Sequence, residues 1–229
     1  MIGLLSRLDS LSRPRRSLFA WAILSLLGMR DSFASPIYWY QSSATLGLTE
    51  NWALYGEIQP RFIESMRQSQ SMNLRAALLY RMDPEWSFGL GYGWMPQYLP
   101  TYRNEGRIYQ QLEWKPKTET APFDFSFRGR LEERRLQDIS PLMIRVRSRA
   151  QANYSPEGSQ FGVYVWDELF IALNDGSNSI QSGFDQNRLS AGFRIKNENT
   201  TFEAGPLSQR LRGGIWNHGG VLNLVLSWW

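Results

Sequence analysis

The sequence predicts an all-β chain: a single antiparallel transmembrane β-barrel of outer-membrane type, with about 10–12 strands. Three observations carry that prediction. Stretches of roughly ten residues alternate between apolar and polar positions from residue 37 to the end, the period of a strand with two unlike faces. Turn-forming residues separate these stretches. Tryptophan and tyrosine gather near their ends, where a membrane boundary suits an apolar ring with a polar tip.

Residues 1–34 read as an address. Arg7, Arg13, Arg15 and Arg16 precede the apolar run LFAWAILSLLG from Leu18 to Gly28, and the small residues Ser32 and Ala34 follow. That order describes a secretory signal cleaved after Ala34, which leaves residues 35–229 as the barrel. The run is too short for a spanning helix, which needs about 20 apolar residues. The whole chain carries 25 basic and 21 acidic residues. The signal holds five arginines and two aspartates, so the remainder has 20 basic and 19 acidic residues, a net of +1. Nucleic-acid binding loses its electrostatic support.

The strand-like segments follow in order as 37–48, 52–63, 71–82, 86–98, 106–115, 123–134, 142–154, 160–173, 186–196, 200–210 and 218–229. TEN, DPE, SPEG and NENT make short connections, whereas YLPTYRNEG and NDGSNSIQSG make longer ones. Tight periplasmic turns opposite longer outer loops produce such alternation. These are eleven segments, and bacterial single-chain barrels normally have an even number. A strand missed or split near residues 36–65 is therefore expected.

Each segment has two faces. Trp52, Leu54, Ile58 and Phe62 stand opposite Tyr55, Glu57, Gln59 and Arg61. Trp86, Phe88, Leu90, Tyr92 and Trp94 stand opposite Ser87 and three glycines. In FDFSFRGRLEERR the phenylalanines 123, 125 and 127 oppose Asp124, Arg128 and Arg130. A lipid-facing wall takes the apolar set, which turns the charged set inward. The expected interior network comprises Glu57, Arg61, Arg75, Arg107, Glu113, Arg128, Arg130, Glu132, Arg145, Arg147, Arg149, Glu168, Arg188, Arg194 and Glu203. Charges inside a narrow barrel must pair or stay hydrated, so an arginine–glutamate network across strands is expected in preference to a catalytic carboxylate pair. Tyr38, Trp39, Tyr40, Trp52, Trp86, Trp94, Trp114, Trp228 and Trp229 are the expected interface aromatics. Alternation puts Asp167 with Val163 and Val165 on lipid, so a bulge or an interfacial position is expected there.

The chain has no cysteine and one histidine, which excludes disulfides, cysteine metal sites and multi-histidine centres. No metal and no cofactor is expected. Asn174, Asp185 and Asn187 match no calcium-loop spacing. His218, beside Asn217 in what reads as the last loop, is the sole candidate histidine base. A Ser–His–Asn hydrolase would need a serine and a polar orienter within reach of it, and Ser208 and Ser227 supply no motif.

From about residue 50 onward the chain resembles the domain-of-unknown-function 2490 family of predicted bacterial outer-membrane proteins. The resemblance lies in EIQPR (57–61), RGRLEERR (128–135), RVRSRAQANY (145–154), DELFIALN (167–174), GFDQNRLSAGF (183–193), FEAGPLSQ (202–209) and NHGGVLNL (217–224). Gly205-Pro206 stands where relatives tend to have Gly-Tyr, so an irregular strand is expected there. The resemblance implies location and fold, and the family carries no established activity.

The expected function is that of a non-enzymatic outer-membrane barrel in a Gram-negative bacterium, structural or a narrow anion-preferring channel. The alternative is a lipid-modifying hydrolase or acyltransferase using His218. The expected partners are outer-membrane lipids and the barrel-assembly machinery. The oligomeric state is left open.

Overall fold

The structure, a computed structural model, describes residues 36–64, 66–118, 122–137, 139, 141–176 and 181–229. The secretory signal read at residues 1–34 lies outside the described residues. Among the described residues eleven strands follow one another up and down: β1 (Ile37–Gly47), β2 (Trp52–Ile63), β3 (Gln68–Arg81), β4 (Trp86–Trp94), β5 (Glu105–Trp114), β6 (Phe123–Leu136), β7 (Met143–Tyr154), β8 (Phe161–Ala172), β9 (Gly183–Lys196), β10 (Thr200–Leu211) and β11 (Trp216–Trp228). They close into one barrel.

The odd number corrects the expectation of an even one. Among the described residues, 36–64 hold the two strands that the pattern gives, β1 and β2, and neither is split. In an up-and-down chain, strands of odd rank run the same way. β1 and β11 can therefore close the wall only side by side in parallel, and they do, from Ile37 opposite Gly219 to Leu46 opposite Trp228. The other ten neighbouring pairs are antiparallel. The start of β1 and the end of β11 lie at opposite rims as a result.

One rim carries connections 48–51, 82–85, 115–122, 155–160 and 197–199; the other carries 64–67, 95–104, 137–142, 173–182 and 212–215. The two longest, 95–104 and 173–182, share the second rim.

Burial alternates along the strands as the pattern requires. Phe123, Phe125 and Phe127 are exposed on the outer wall, while Arg130 and Glu132 are 4% and 1% exposed inside. On β4 the aromatic face is outside and the glycine face inside. The glycines there make room for long neighbours: a Cβ on Gly91 would overlap the ring of Tyr109, directly across in register. At Gly205 and Pro206, β10 stays in register with β11 but has no paired residues on the β9 side. Proline cannot donate to a ladder, so one side of this strand is irregular.

Asp167 corrects the expectation of a bulge. It stays on the outer face in mid-strand, exposed between Val165 and Leu169 and paired in register with Ala150 and Leu189. Its Oδ1 accepts a hydrogen bond from Asn187 Nδ2 at 2.9 Å, which gives the carboxylate a partner on the outer wall. The register shift on this hairpin lies further along, between Phe170 and Ile171.

Candidate functional site

The inward faces of β5 to β9 meet in a network built on two glutamates. Glu132 on β6 faces Arg145 at 2.6 Å and Arg147 at 2.7 Å, with Arg130 at 3.7 Å and Arg107 at 3.9 Å. Glu168 on β8 faces Arg147 at 2.7 Å, Arg128 at 3.2 Å and Arg188 at 3.5 Å. Arg147 bridges the two hubs. Strand pairing makes this arrangement possible, because Glu132 stands opposite Arg145, Arg130 opposite Arg147, and Glu168 opposite both Arg149 and Arg188. Arginine suits such sites: its fork reaches two carboxylates at once and its flat face stacks on rings.

Smaller groups extend the network. Arg75 pairs with Glu57, which also accepts a hydrogen bond from Tyr55 Oη at 2.5 Å. Arg194 reaches Asp124 at 3.0 Å and Glu203 at 3.6 Å. Glu113 meets Lys115 at 3.3 Å near the first rim. Two arginines take neutral partners instead. Arg61 donates to Gln59 Oε1 at 2.7 Å and lies over Trp39 at 4.4 Å. Arg149 donates to Gln151 Oε1 at 2.7 Å and lies over Trp166 at 4.5 Å.

Several interior groups escape the sequence reading. Glu105 holds Arg107 at 2.6 Å and Arg134 at 2.5 Å, and Asp185 holds Arg145 at 2.9 Å. Glu105 and Arg134 share the parity of Arg107 and Glu132, so moving the segment start back by one residue would have found Glu105. Asp185 sits beside the β8–β9 register shift, where two-residue alternation fails.

Two interface aromatics are corrected. Trp39 is 4% exposed and lies inside with Ile37, Tyr164, Trp166, Leu207 and Val221, while Tyr38 and Tyr40 keep the opposite, outer parity. Three aromatics in a row cannot share one face of a strand. Trp229 packs on the inner cluster of Ala53, Ala77, Leu79 and Tyr109, with Arg81 over its ring at 4.3 Å. Trp52, Trp86, Trp94 and Trp228 are exposed. Trp114 is half-buried because it stacks on Trp86 and Phe127 with ring centres 5.6 and 5.4 Å apart.

His218 also differs from expectation. It lies within β11, not in a loop, on the outer wall opposite Ser208 of β10. Ser208 Oγ and His218 Nδ1 are 3.0 Å apart, and Trp216 stacks parallel to the imidazole. Asn217 has the opposite parity and donates to Gln209 Oε1 at 3.3 Å. It therefore cannot orient His218 in a Ser–His–Asn arrangement. Asn174, Asp185 and Asn187 each have other partners: Asn174 accepts from Ile144 N and donates to Leu142 O, Asp185 accepts from Arg145, and Asn187 donates to Asp167.

The family model described as protein of unknown function (DUF2490) matches residues 37–214. An uncharacterized protein of Methylorubrum extorquens is 28% identical over 208 residues, which is 87% of this chain and 90% of that one. Among solved structures, LpxR from Salmonella typhimurium aligns with a TM-score of 0.47 and 9% identity, over 77% of this chain and 83% of its own.

Proposed function

The chain belongs to the DUF2490 family of proteins of unknown function, and we propose that it is an integral outer-membrane barrel of a Gram-negative bacterium whose interior is sealed by charge pairing. It serves there as a structural or assembly component, and any residual path through it is narrow and anion-preferring. An outer wall bearing Leu54, Ile58, Leu78, Leu90, Ile108 and Val165, all more than a third exposed, supports immersion in lipid. The rim with the two longest connections is the outer one, and the rim with 48–51, 82–85 and 197–199 faces the periplasm. Lipids and the barrel-assembly machinery are its partners on this reading.

The observation that carries the sealed interior is how little room the side chains leave. Inward side chains from four neighbouring strands, Tyr109, Arg130, Glu132, Arg147 and Glu168, are between 1% and 5% exposed. Liposomes containing the purified barrel should swell no faster than empty liposomes in isotonic arabinose. Rapid swelling would mean an open pore.

One contact favours a second reading, the lipid-modifying enzyme. The 3.0 Å approach of Ser208 Oγ to His218 Nδ1 on the outer wall is the geometry of a hydroxyl and its base. Purified protein mixed with phospholipid vesicles decides between them. Under the sealed-barrel reading no fatty acid is released. Release that disappears in both Ser208→Ala and His218→Ala would establish the enzyme.

A further inference from the structure

The two rims carry different charges. All three lysines, Lys115, Lys117 and Lys196, belong to the first rim. Arg67, Arg103, Arg135, Arg210 and Arg212 stand at or beside the second, the first four of them exposed. The first-rim connections hold six acidic residues and the second-rim connections three. Among the described residues none of these five arginines makes an ion pair, whereas the interior arginines Arg107, Arg145 and Arg147 all do.

Two of the five meet at one residue. Arg210 is exposed at the end of the outer face of β10, its guanidinium 5.7 Å from the ring of Phe184 on β9 and 5.9 Å from that of Trp216 on β11. Arg212 reaches the same Phe184: its Nε donates to Phe184 O at 2.8 Å and its Nη2 to Ser182 O at 3.0 Å. Both positive charges therefore meet rings and neutral carbonyls. Two acids stand in this region and neither neutralises them. Asp175 accepts from Ser182 N at 2.5 Å. Asp167 lies deeper, in line with Leu189 and Ser208, and takes the Asn187 amide. A guanidinium fork matches the oxygens of a phosphate, and basic side chains at a membrane surface attract anionic head groups. Toward the middle of the same wall lie Leu189, Phe193, Phe202, Leu222 and Leu224, all more than a third exposed, a bed for acyl chains.

We propose that Arg210 and Arg212 form a binding site for the phosphate of a lipid in the leaflet at the second rim, whose chains lie along the outer faces of β9 to β11. That this leaflet is the outer one rests on the orientation proposed above.

The test uses the full refolded barrel in detergent micelles, with native mass spectrometry to count the lipids it retains. Dilauroyl phosphatidic acid should be retained, and dilauroylglycerol, which lacks only the phosphate, should be lost. Arg210→Gln with Arg212→Gln should raise the phosphatidic acid concentration for half-occupancy roughly tenfold or more. Lys115→Gln with Lys117→Gln, at the first rim, should leave it unchanged. A large excess of sodium phosphate should not displace the lipid; displacement would give the site to free phosphate and overturn the lipid assignment. Equal retention of the two lipids, or unchanged binding by the double arginine variant, overturns the proposal. The wild-type comparison decides even if the variant does not refold. Orientation is read separately from Ile215→Cys, exposed at the second rim in a chain without other cysteine, which should react with a membrane-impermeant maleimide on intact cells. Labelling only after lysis would overturn the orientation, so that failure and failure of the phosphate site are told apart.

Discussion

Glu132 is 1% exposed and has four arginines within 4 Å. Its worth lies less in any one pair than in what its loss leaves behind. Glu132→Gln keeps size and one acceptor oxygen but strands cationic charge in a dry interior. Breaking a buried pair in this way costs about 3–5 kcal/mol. The expected outcome is a clear fall in the urea midpoint of the barrel, measured by heat-modifiable migration on a gel. Glu133→Gln, one residue on and half-buried, should leave the midpoint nearly unchanged. At this scale parity alone places Glu132, Arg130 and Arg147, because every second residue of a regular strand shares a face. It does not place Trp39 or Asp185. Tyr38, Trp39 and Tyr40 look alike to a reading based on polarity, and only the pleat separates them. Asp185 lies at an irregular register that no local pattern announces.

Among the elements, β1 and β11 carry the feature least visible in sequence. Eleven segments are legible from their turns, although bacterial single-chain barrels normally have an even number of strands. What decides the closure is geometry: eleven alternating strands leave two of like direction at the seam. The seam can be tested directly because the chain contains no cysteine. Ser42 stands opposite Leu224 on the exposed wall. The double variant Ser42→Cys with Leu224→Cys should cross-link under mild oxidation or with a short bifunctional maleimide, and migrate as a compact species after heating. Ser42→Cys paired with Ser227→Cys, three residues out of register along β11, should not. Cross-linking of the second pair in place of the first would show another register or another closure. β10 repeats the lesson on a smaller scale. Pro206 keeps its place beside Gly220 on β11 while the ladder to β9 lapses, as the missing N–H dictates.

For the molecule as a whole, alternation settles which side of the wall faces out, and packing settles what the inside can do. The sequence shows a charged inner face but not how full the barrel is. Fullness depends on which arginines stack on rings, such as Arg130 over Tyr109 at 4.2 Å and Arg188 over Phe170 at 4.3 Å, and on Gly91, which leaves room for the Tyr109 ring. The outer wall retains a polar pair, Ser208 and His218, which the vesicle assay addresses. The inner network addresses permeation. Arg130 and Arg147 face each other across β6 and β7, so the double variant Arg130→Ala with Arg147→Ala removes two long cations from the same level of the barrel. The most direct measurement is current through single barrels in a planar bilayer under a salt gradient, for the wild type and this double variant. The wild type should give little or no stepwise conductance, with any reversal potential on the anion-selective side, and the double variant larger, less anion-selective steps. Large cation-selective steps from the wild type would contradict it.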